Sequence, residues 1–241
     1  MSSINNTILM PFREDNDFNN RIFFETCRDY YLSEGYTVET FDSGEEFFNR
    51  SASRNLAVDS SEDSICILID ADTIIPSYAI QESIMIAKKY NAMVKPTIRT
   101  YSMSSLDKLK LIIEKIKNCE VMEDINYRHR SIDLYPGSGW VIPRNLFYEI
   151  GKFNEDFIGY GYEDIDFNYR ASINSRIFFT EYNAFTVSHP IQRIYGDENN
   201  EDLFSITKSL WSNKIPEVSI YSQKNMAGSP EHHIKKVFGI E

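Results

Sequence analysis

Apolar positions along this chain keep two different rhythms, and the places where one gives way to the other outline the elements. Thr7 to Met10 is a short apolar run closed by Pro11, which predicts a buried first strand. Between Asn19 and Ser33 the residues Ile22, Phe23, Cys27, Tyr30 and Tyr31 fall on one helical face, and Gly35 ends that pattern. Tyr36 to Phe41 alternates as a second strand, Asp42-Ser43-Gly44 reads as a turn, Phe47 to Val58 as a helix and Ser60 to Ser64 as a polar loop. Ile65 to Ile69 is continuously apolar and largely β-branched, as expected of the central strand of a parallel sheet.

The second half continues the alternation. Ser77 to Tyr90 predicts a helix with Ser77 as N-cap, Met93 to Ile98 a strand, and Ser104 to Lys117 an amphipathic helix burying Leu106, Leu109, Ile112, Ile113 and Ile116. Glu120 to Asp133 reads as a loop. Gly139 to Ile142 predicts a strand, Pro143 to Ile150 a helix closed by Gly151, and Glu163 to Ile173 another helix. Arg176 to Thr180 and Ala184 to Val187 read as late strands. An acidic loop from Asp197 to Asp202 and a helical piece from Leu203 to Trp211 follow. Strands alternating with helices predict an α/β fold whose ligand site lies at the carboxyl ends of the strands. Residues 1–190 read as one domain, with 191–241 as a C-terminal loop and helical appendage packed on it.

Composition narrows the function classes. With 241 residues and 42% apolar positions the chain can bury a sizeable core. The formal net charge of −11 disfavours non-specific attraction to a phosphate backbone and suits a protein that gathers a divalent cation. Cys27, Cys66 and Cys119 stand far apart without a CxxC pair, which reads as reduced thiols, Cys66 as a core residue. No signal-peptide pattern and no 18-residue apolar stretch occurs, so a soluble, cytoplasmic protein without a membrane span is expected.

Two acidic clusters carry the candidate chemistry. Asp70-Ala71-Asp72 follows the apolar run directly, and two carboxylates one residue apart at a strand end can share a hard cation such as Mg²⁺ or Mn²⁺. The second is Gly159-Tyr160-Gly161-Tyr162-Glu163-Asp164-Ile165-Asp166: a Gly-aromatic-Gly loop suited to a sugar ring, leading into a helix whose first turn favours acids. Each has a plainer explanation, since acidic pairs are common on loops and acids are common at helix starts. Trp140 reads as core, and His232-His233 as an exposed tail.

Taken in order, these motifs resemble a GT-A-fold glycosyltransferase near family 2, and especially the β-1,4-galactosyltransferase type. Pro11-Phe12-Arg13 matches the end of that family's first strand, and Phe48-Asn49-Arg50 with Asn55 matches its FNRxxxxN helix motif. Asp70-Ala71-Asp72 matches the DxD, and Tyr135-Pro136-Gly137-Ser138 through Glu163-Asp164 keeps the register of its YFGG…WGWGGED segment. His189 falls where the family places a metal-ligating histidine.

The resemblance implies a single-domain, Rossmann-like, mostly parallel sheet flanked by helices. It implies a hexosyltransferase that uses a nucleotide-diphosphate sugar, a UDP-sugar foremost, with Mn²⁺ or Mg²⁺ as cofactor and with inversion. Pro11, Phe12, Arg13, Asp42, Phe48, Arg50, Asn55, Asp70 and Gly137 would line the donor site, and Asp70, Asp72 and His189 would hold the metal. Glu163 and Asp164 would hold the acceptor, with Asp164 as general base. Four positions depart from the pattern: Tyr160 stands in place of a tryptophan, which keeps an aromatic platform, Tyr162 in place of a glycine, Ile165 in place of an acid, and Thr186 in place of a methionine metal ligand.

The acceptor could be a glycan or a small molecule. A second reading keeps the donor site and makes a nucleic-acid base the acceptor, as in phage-type glycosylation, with Lys108, Lys110, Lys115 and Lys117 of one helix as its phosphate-binding face. A third, a catalytically silent nucleotide-sugar or glycan-binding module, has no need of Asp70, Asp72, Glu163, Asp164 and His189 together. A nucleotidyltransferase would carry a Gly-rich basic loop after its first strand, which Arg13-Glu14-Asp15 is not.

Overall fold

A computed structural model describes residues 6–14, 18–118, 138–158, 161–187, 197–210 and 217–221. From the N-terminus, β1 (Thr7–Pro11), α1 (Phe18–Ser33), β2 (Thr37–Phe41), α2 (Arg50–Ser60) and β3 (Ile65–Ile69) follow the expected order. Then come β4 (Thr73–Ile74), α3 (Ser77–Tyr90), β5 (Met93–Lys95), β6 (Arg99–Met103), α4 (Leu106–Lys117) and β7 (Gly139–Pro143). The rest comprises α5 (Arg144–Ile150), α6 (Glu163–Asn174), β8 (Arg176–Thr180), β9 (Asn183–Val187), α7 (Asp197–Leu210) and β10 (Glu217–Tyr221).

Seven strands form the central sheet in the order β10-β8-β5-β7-β3-β1-β2. All pairings are parallel except those of β7, which runs antiparallel to β3 and to β5. The sheet is therefore mostly parallel, and both of its faces are covered. On β3, Ile67 and Ile69 point into one core with α1, α3 and α4, while Cys66 and Leu68 point into the other with α2, α5 and α6. The same alternation splits Ile8 and Met10 from Leu9 on β1, and Val141 from Trp140 and Ile142 on β7. Continuous apolar runs are what a sheet buried on both faces requires.

Several expectations change. Ser77 is the first residue of α3 and not its cap; Pro76 precedes it without a side-chain cap, and the Ser77 N–H is taken by the Tyr30 hydroxyl at 3.0 Å. Pro96 cuts the expected strand Met93 to Ile98 short, and the chain resumes as β6 in a second sheet of order β4-β9-β6. Asp197 to Asp202 is not a loop but the opening of α7. β10, unforeseen in the sequence, adds to the central sheet beside β8. Among the described residues no helix is long and apolar enough to cross a membrane.

The reversed β7 matters for the site. Because Gly139 pairs with Ile69, the start of β7 lies beside the carboxyl end of β3, where the parallel strands deliver their loops. The approach is tight: a Cβ built on Gly139 would stand 2.6 Å from Ile75 Cδ1 and 3.3 Å from the Leu68 carbonyl oxygen. Gly139→Ala is accordingly expected to destabilise the protein by about 1–3 kcal/mol, the scale of overpacking, as read by urea denaturation.

Candidate active site

The site is built where β3 and β7 meet. Asp70 follows the last residue of β3, donates its backbone N–H to the Ser138 carbonyl at 3.2 Å, and accepts the Ser138 N–H on Oδ2 at 3.0 Å. Its other oxygen, Oδ1, takes Nη2 of Arg54 at 2.7 Å. Arg54 comes from the middle of α2 and is only 2% exposed. Its Nη1 donates to Glu163 Oε1 at 3.2 Å, and its guanidinium lies 4.8 Å from the centre of the Trp140 ring and 5.1 Å from that of Phe153. One buried cation thus joins the strand-end Asp70 to Glu163 at the start of α6. Burial pulls the guanidinium's proton affinity down, but the charges of Asp70 and Glu163 outweigh it. Burial likewise opposes ionisation of Asp70, and Arg54 overrides it, holding that carboxyl below its ordinary range.

The acids of α6 divide their work. Glu163 is buried against Arg54. Asp166, fully buried, accepts from Arg170 at 2.9 and 2.6 Å and from the Thr207 hydroxyl of α7 at 2.7 Å, which makes it a structural anchor. Asp164 is half-buried, and one oxygen accepts the Ile165 N–H at 2.8 Å. Burial first, and then the charge of Glu163, push the Asp164 carboxyl up to about 7 in spite of Arg54. Tyr162, in the position where the resembling family has glycine, carries a φ of 70°, a left-handed conformation that glycine adopts at lower cost. Its ring leans on Phe204 of α7 at 5.9 Å. A second buried cation, Lys95 at the end of β5, places Nζ 3.9 Å from the Trp140 ring centre; burial pulls its ammonium down to about 7 against the opposing pull of Asp70 and Asp164.

Asp72 is half-buried, and its two oxygens accept the Thr73 hydroxyl at 3.3 Å and the Thr186 hydroxyl at 3.2 Å. Thr186 therefore does face the Asp72 carboxylate, but it brings a hydroxyl where a thioether was the pattern. An oxygen-rich set of this kind fits a hard cation such as Mg²⁺ or Mn²⁺. Among the described residues no three His, Cys, Asp or Glu side chains converge as a complete metal site. His189 lies outside the described residues, as do Gly137, Gly159 and Tyr160.

On the β1–β2 side, Arg13 and Asp42 form a two-pronged ion pair at 2.6 and 2.7 Å, and Arg13 sits 5.5 Å from the Phe48 ring centre. Hydrogen bonding to Arg13 holds the Asp42 carboxyl below its ordinary range. Pro11 ends β1, Phe12 stacks on Phe24 at 4.0 Å, and Arg50 opens α2. Arg13, Asp42 and Phe48 thus come together at one edge. Asn55 does not join them: its amide donates to the Phe153 carbonyl at 2.9 Å and to Glu155 at 2.7 Å, and it accepts the Phe153 N–H at 3.0 Å. It is buried and clamps the segment after α5.

Arg54 and Lys95 were not among the expected site residues. Both leave a signal in the sequence. Arg54 shares a helix face with the buried Ala57 and Val58, and Lys95 ends the apolar strand Met93-Val94; a charge in either setting calls for a buried counter-charge. Trp140 is core, as expected, with its indole N–H donated to Asn168 at 2.8 Å. The basic face proposed for α4 does not form. With Leu109, Ile112, Ile113 and Ile116 inward, Lys108 and Lys115 fall on one flank and Lys110 and Lys117 on the other, with Asp107, Leu111 and Glu114 between them. A nucleic-acid acceptor loses its phosphate contact there.

A family model described as "Glycosyltransferase like family 2" matches residues 33–215. No curated protein matches the chain in sequence. Similar solved structures include the catalytic domain of Drosophila β1,4-galactosyltransferase 7 in complex with xylobiose, at 13% identity, 83% of this chain, 78% of that chain and a TM-score of 0.47. Staphylococcus aureus TarS in complex with UDP-GlcNAc is similar at 10% identity, 85% and 66% coverage and a TM-score of 0.49. Glucosyl-3-phosphoglycerate synthase from Mycobacterium tuberculosis, in complex with Mn²⁺ and UDP-glucose, is similar at 10% identity, 86% and 78% coverage and a TM-score of 0.45.

The electrostatics of Asp164 generate a prediction about stability. Its carboxyl holds a proton up to about pH 7 in the folded chain, whereas in the unfolded chain it releases it near about pH 4. Folded protein therefore binds more protons across that window, and stability falls as pH rises through it. Asp164→Asn is expected to gain about 1–3 kcal/mol at pH 8 and nothing at pH 4, read by denaturant melts at both pH values. A residue that merely favoured the helix start would show the opposite sign, a loss of about 0.3–1 kcal/mol.

Proposed function

Since the chain belongs to glycosyltransferase-like family 2 and is a glycosyltransferase of α/β, GT-A fold, we propose that it transfers a hexose from a UDP-sugar to an acceptor hydroxyl by a single inverting displacement. The observation that carries this reading is the Arg54 bridge, at 2.7 Å to Asp70 and 3.2 Å to Glu163, because it brings the strand-end acids and the acids of α6 into one cluster.

In this reading Arg13, Asp42 and Phe48 receive the nucleotide, with Pro11, Phe12, Arg50 and Gly137 completing the donor site. Asp70, Asp72 and His189 would hold Mn²⁺ or Mg²⁺, with Asp70 fixed by Arg54 and the Ser138 N–H. A divalent ion there supplies positive charge for the departing diphosphate. Asp164 takes the proton of the acceptor hydroxyl as that oxygen bonds to the anomeric carbon, and the electron pair of the broken bond leaves with UDP. A carboxyl raised to about 7 is a stronger base than an ordinary aspartate, which suits it to this proton. Glu163, held by Arg54, orients the acceptor.

A screen of UDP-, GDP- and TDP-sugars with Mn²⁺ tests the donor, and turnover is expected with a UDP-sugar and lost in EDTA. With that donor, Asp164→Asn is expected to lower transfer about 10²–10⁴-fold while donor affinity stays unchanged. Full transfer by Asp164→Asn would remove the base and with it the inverting mechanism.

A further inference from the structure

We infer that Tyr31 is a positioning residue for the cation-holding carboxylate of Asp72, acting through the backbone of β4. The inference rests on the metal reading above and extends it to a residue far from the site in sequence.

β4 is two residues long and follows Asp72 directly. One of its edges pairs with β9, Thr73 opposite Thr186 and Ile74 opposite Phe185. At the other edge the Thr73 carbonyl and the Ile75 N–H point the same way, as groups two residues apart on an extended chain do. The Tyr31 hydroxyl occupies that edge: it donates to the Thr73 carbonyl at 3.0 Å and accepts the Ile75 N–H at 2.8 Å. A single phenol thus takes the place of a neighbouring strand, and burial raises its pKa so that it keeps its proton. Tyr31 reaches β4 from α1 through the core, fully buried, with its ring edge-on to Tyr30 at 5.0 Å and to Tyr36 at 6.3 Å.

The path to Asp72 is short. Both hydroxyls that orient its carboxylate belong to the paired residues of β4 and β9, Thr73 on one oxygen and Thr186 on the other. If β4 slides or frays, both donors move relative to the carboxylate. A phenylalanine would fill nearly the same volume but leave the Thr73 carbonyl and the Ile75 N–H unpaired in the core, a cost to stability as well as to the placing of β4, so the test has to separate the two.

The test titrates Mn²⁺ into the full chain with saturating UDP, by calorimetry, for wild type, Tyr31→Phe and Tyr30→Phe, with melting temperatures measured alongside. Tyr31→Phe is expected to weaken Mn²⁺ about tenfold or more, the scale of losing a group that orients a ligand, with UDP affinity in EDTA unchanged. Tyr30→Phe removes a hydroxyl from the same helix, one that takes the Ser77 N–H, and is expected to lower the melting temperature similarly while leaving Mn²⁺ affinity within about twofold. Should Tyr31→Phe not fold, Thr73→Val breaks the same path one step on and is expected to weaken Mn²⁺ alike. Equal Mn²⁺ affinity in wild type and Tyr31→Phe, or in wild type and Thr73→Val, overturns the inference alone, as does an equal loss in Tyr30→Phe. No Mn²⁺ uptake by wild type overturns the metal reading and the inference together.

Discussion

One buried guanidinium organises the site. Three carboxylates, Asp70, Glu163 and Asp164, gather at the end of the central sheet, and their mutual repulsion would drive them apart or force protons onto them. Arg54 answers two of the three directly, and it does so from a position 2% exposed, against the faces of Trp140 and Phe153. Desolvating a guanidinium is costly unless its partners are close and well aligned. Here the cost is offset by two ion pairs and two aromatic faces, and the arrangement leaves Asp164 as the acid without a direct ion pair to Arg54. Burial, and after it the charge of Glu163, raises its proton affinity.

The fold makes this gathering possible through a single reversal. Parallel strands bring their loops to one end of the sheet, but β7 enters from the opposite direction, so its first residues lie beside Asp70 and not at the far end. The Ser138 backbone then completes the partners of Asp70, and Trp140, two residues on, supplies the ring under both Arg54 and Lys95. Gly139 between them is the position at which β7 can come this close.

Most of this architecture was legible in the residues. Continuous apolar runs placed β1, β3 and β7, and 3.6-residue periodicity placed α1, α3, α4, α5 and α6, because both patterns are dictated by burial on one or two faces. Asp70, Asp72, Glu163 and Asp164 were legible as acids at strand and helix ends. What stayed hidden depended on long-range partners. Neither β4 nor β10 has enough apolar length to declare itself, and each exists only through its neighbour, β9 or β8. Direction is not written in an apolar run, so the reversal of β7 could not be read. The motif says nothing of the Phe153 backbone that the Asn55 amide pairs with, a partner visible only in three dimensions. Arg54 occupies one of the unspecified positions of the FNRxxxxN motif, which therefore assigns it no role.

The claim that Arg54 couples the two acid clusters is open to a double-mutant cycle on unfolding free energy, with Arg54→Met, Glu163→Gln and the pair measured by urea denaturation at pH 7. The account predicts a coupling of about 1–3 kcal/mol, because either single change already forfeits the Arg54–Glu163 attraction and the double change forfeits it only once. Additive effects, with coupling below about 0.5 kcal/mol, would contradict it.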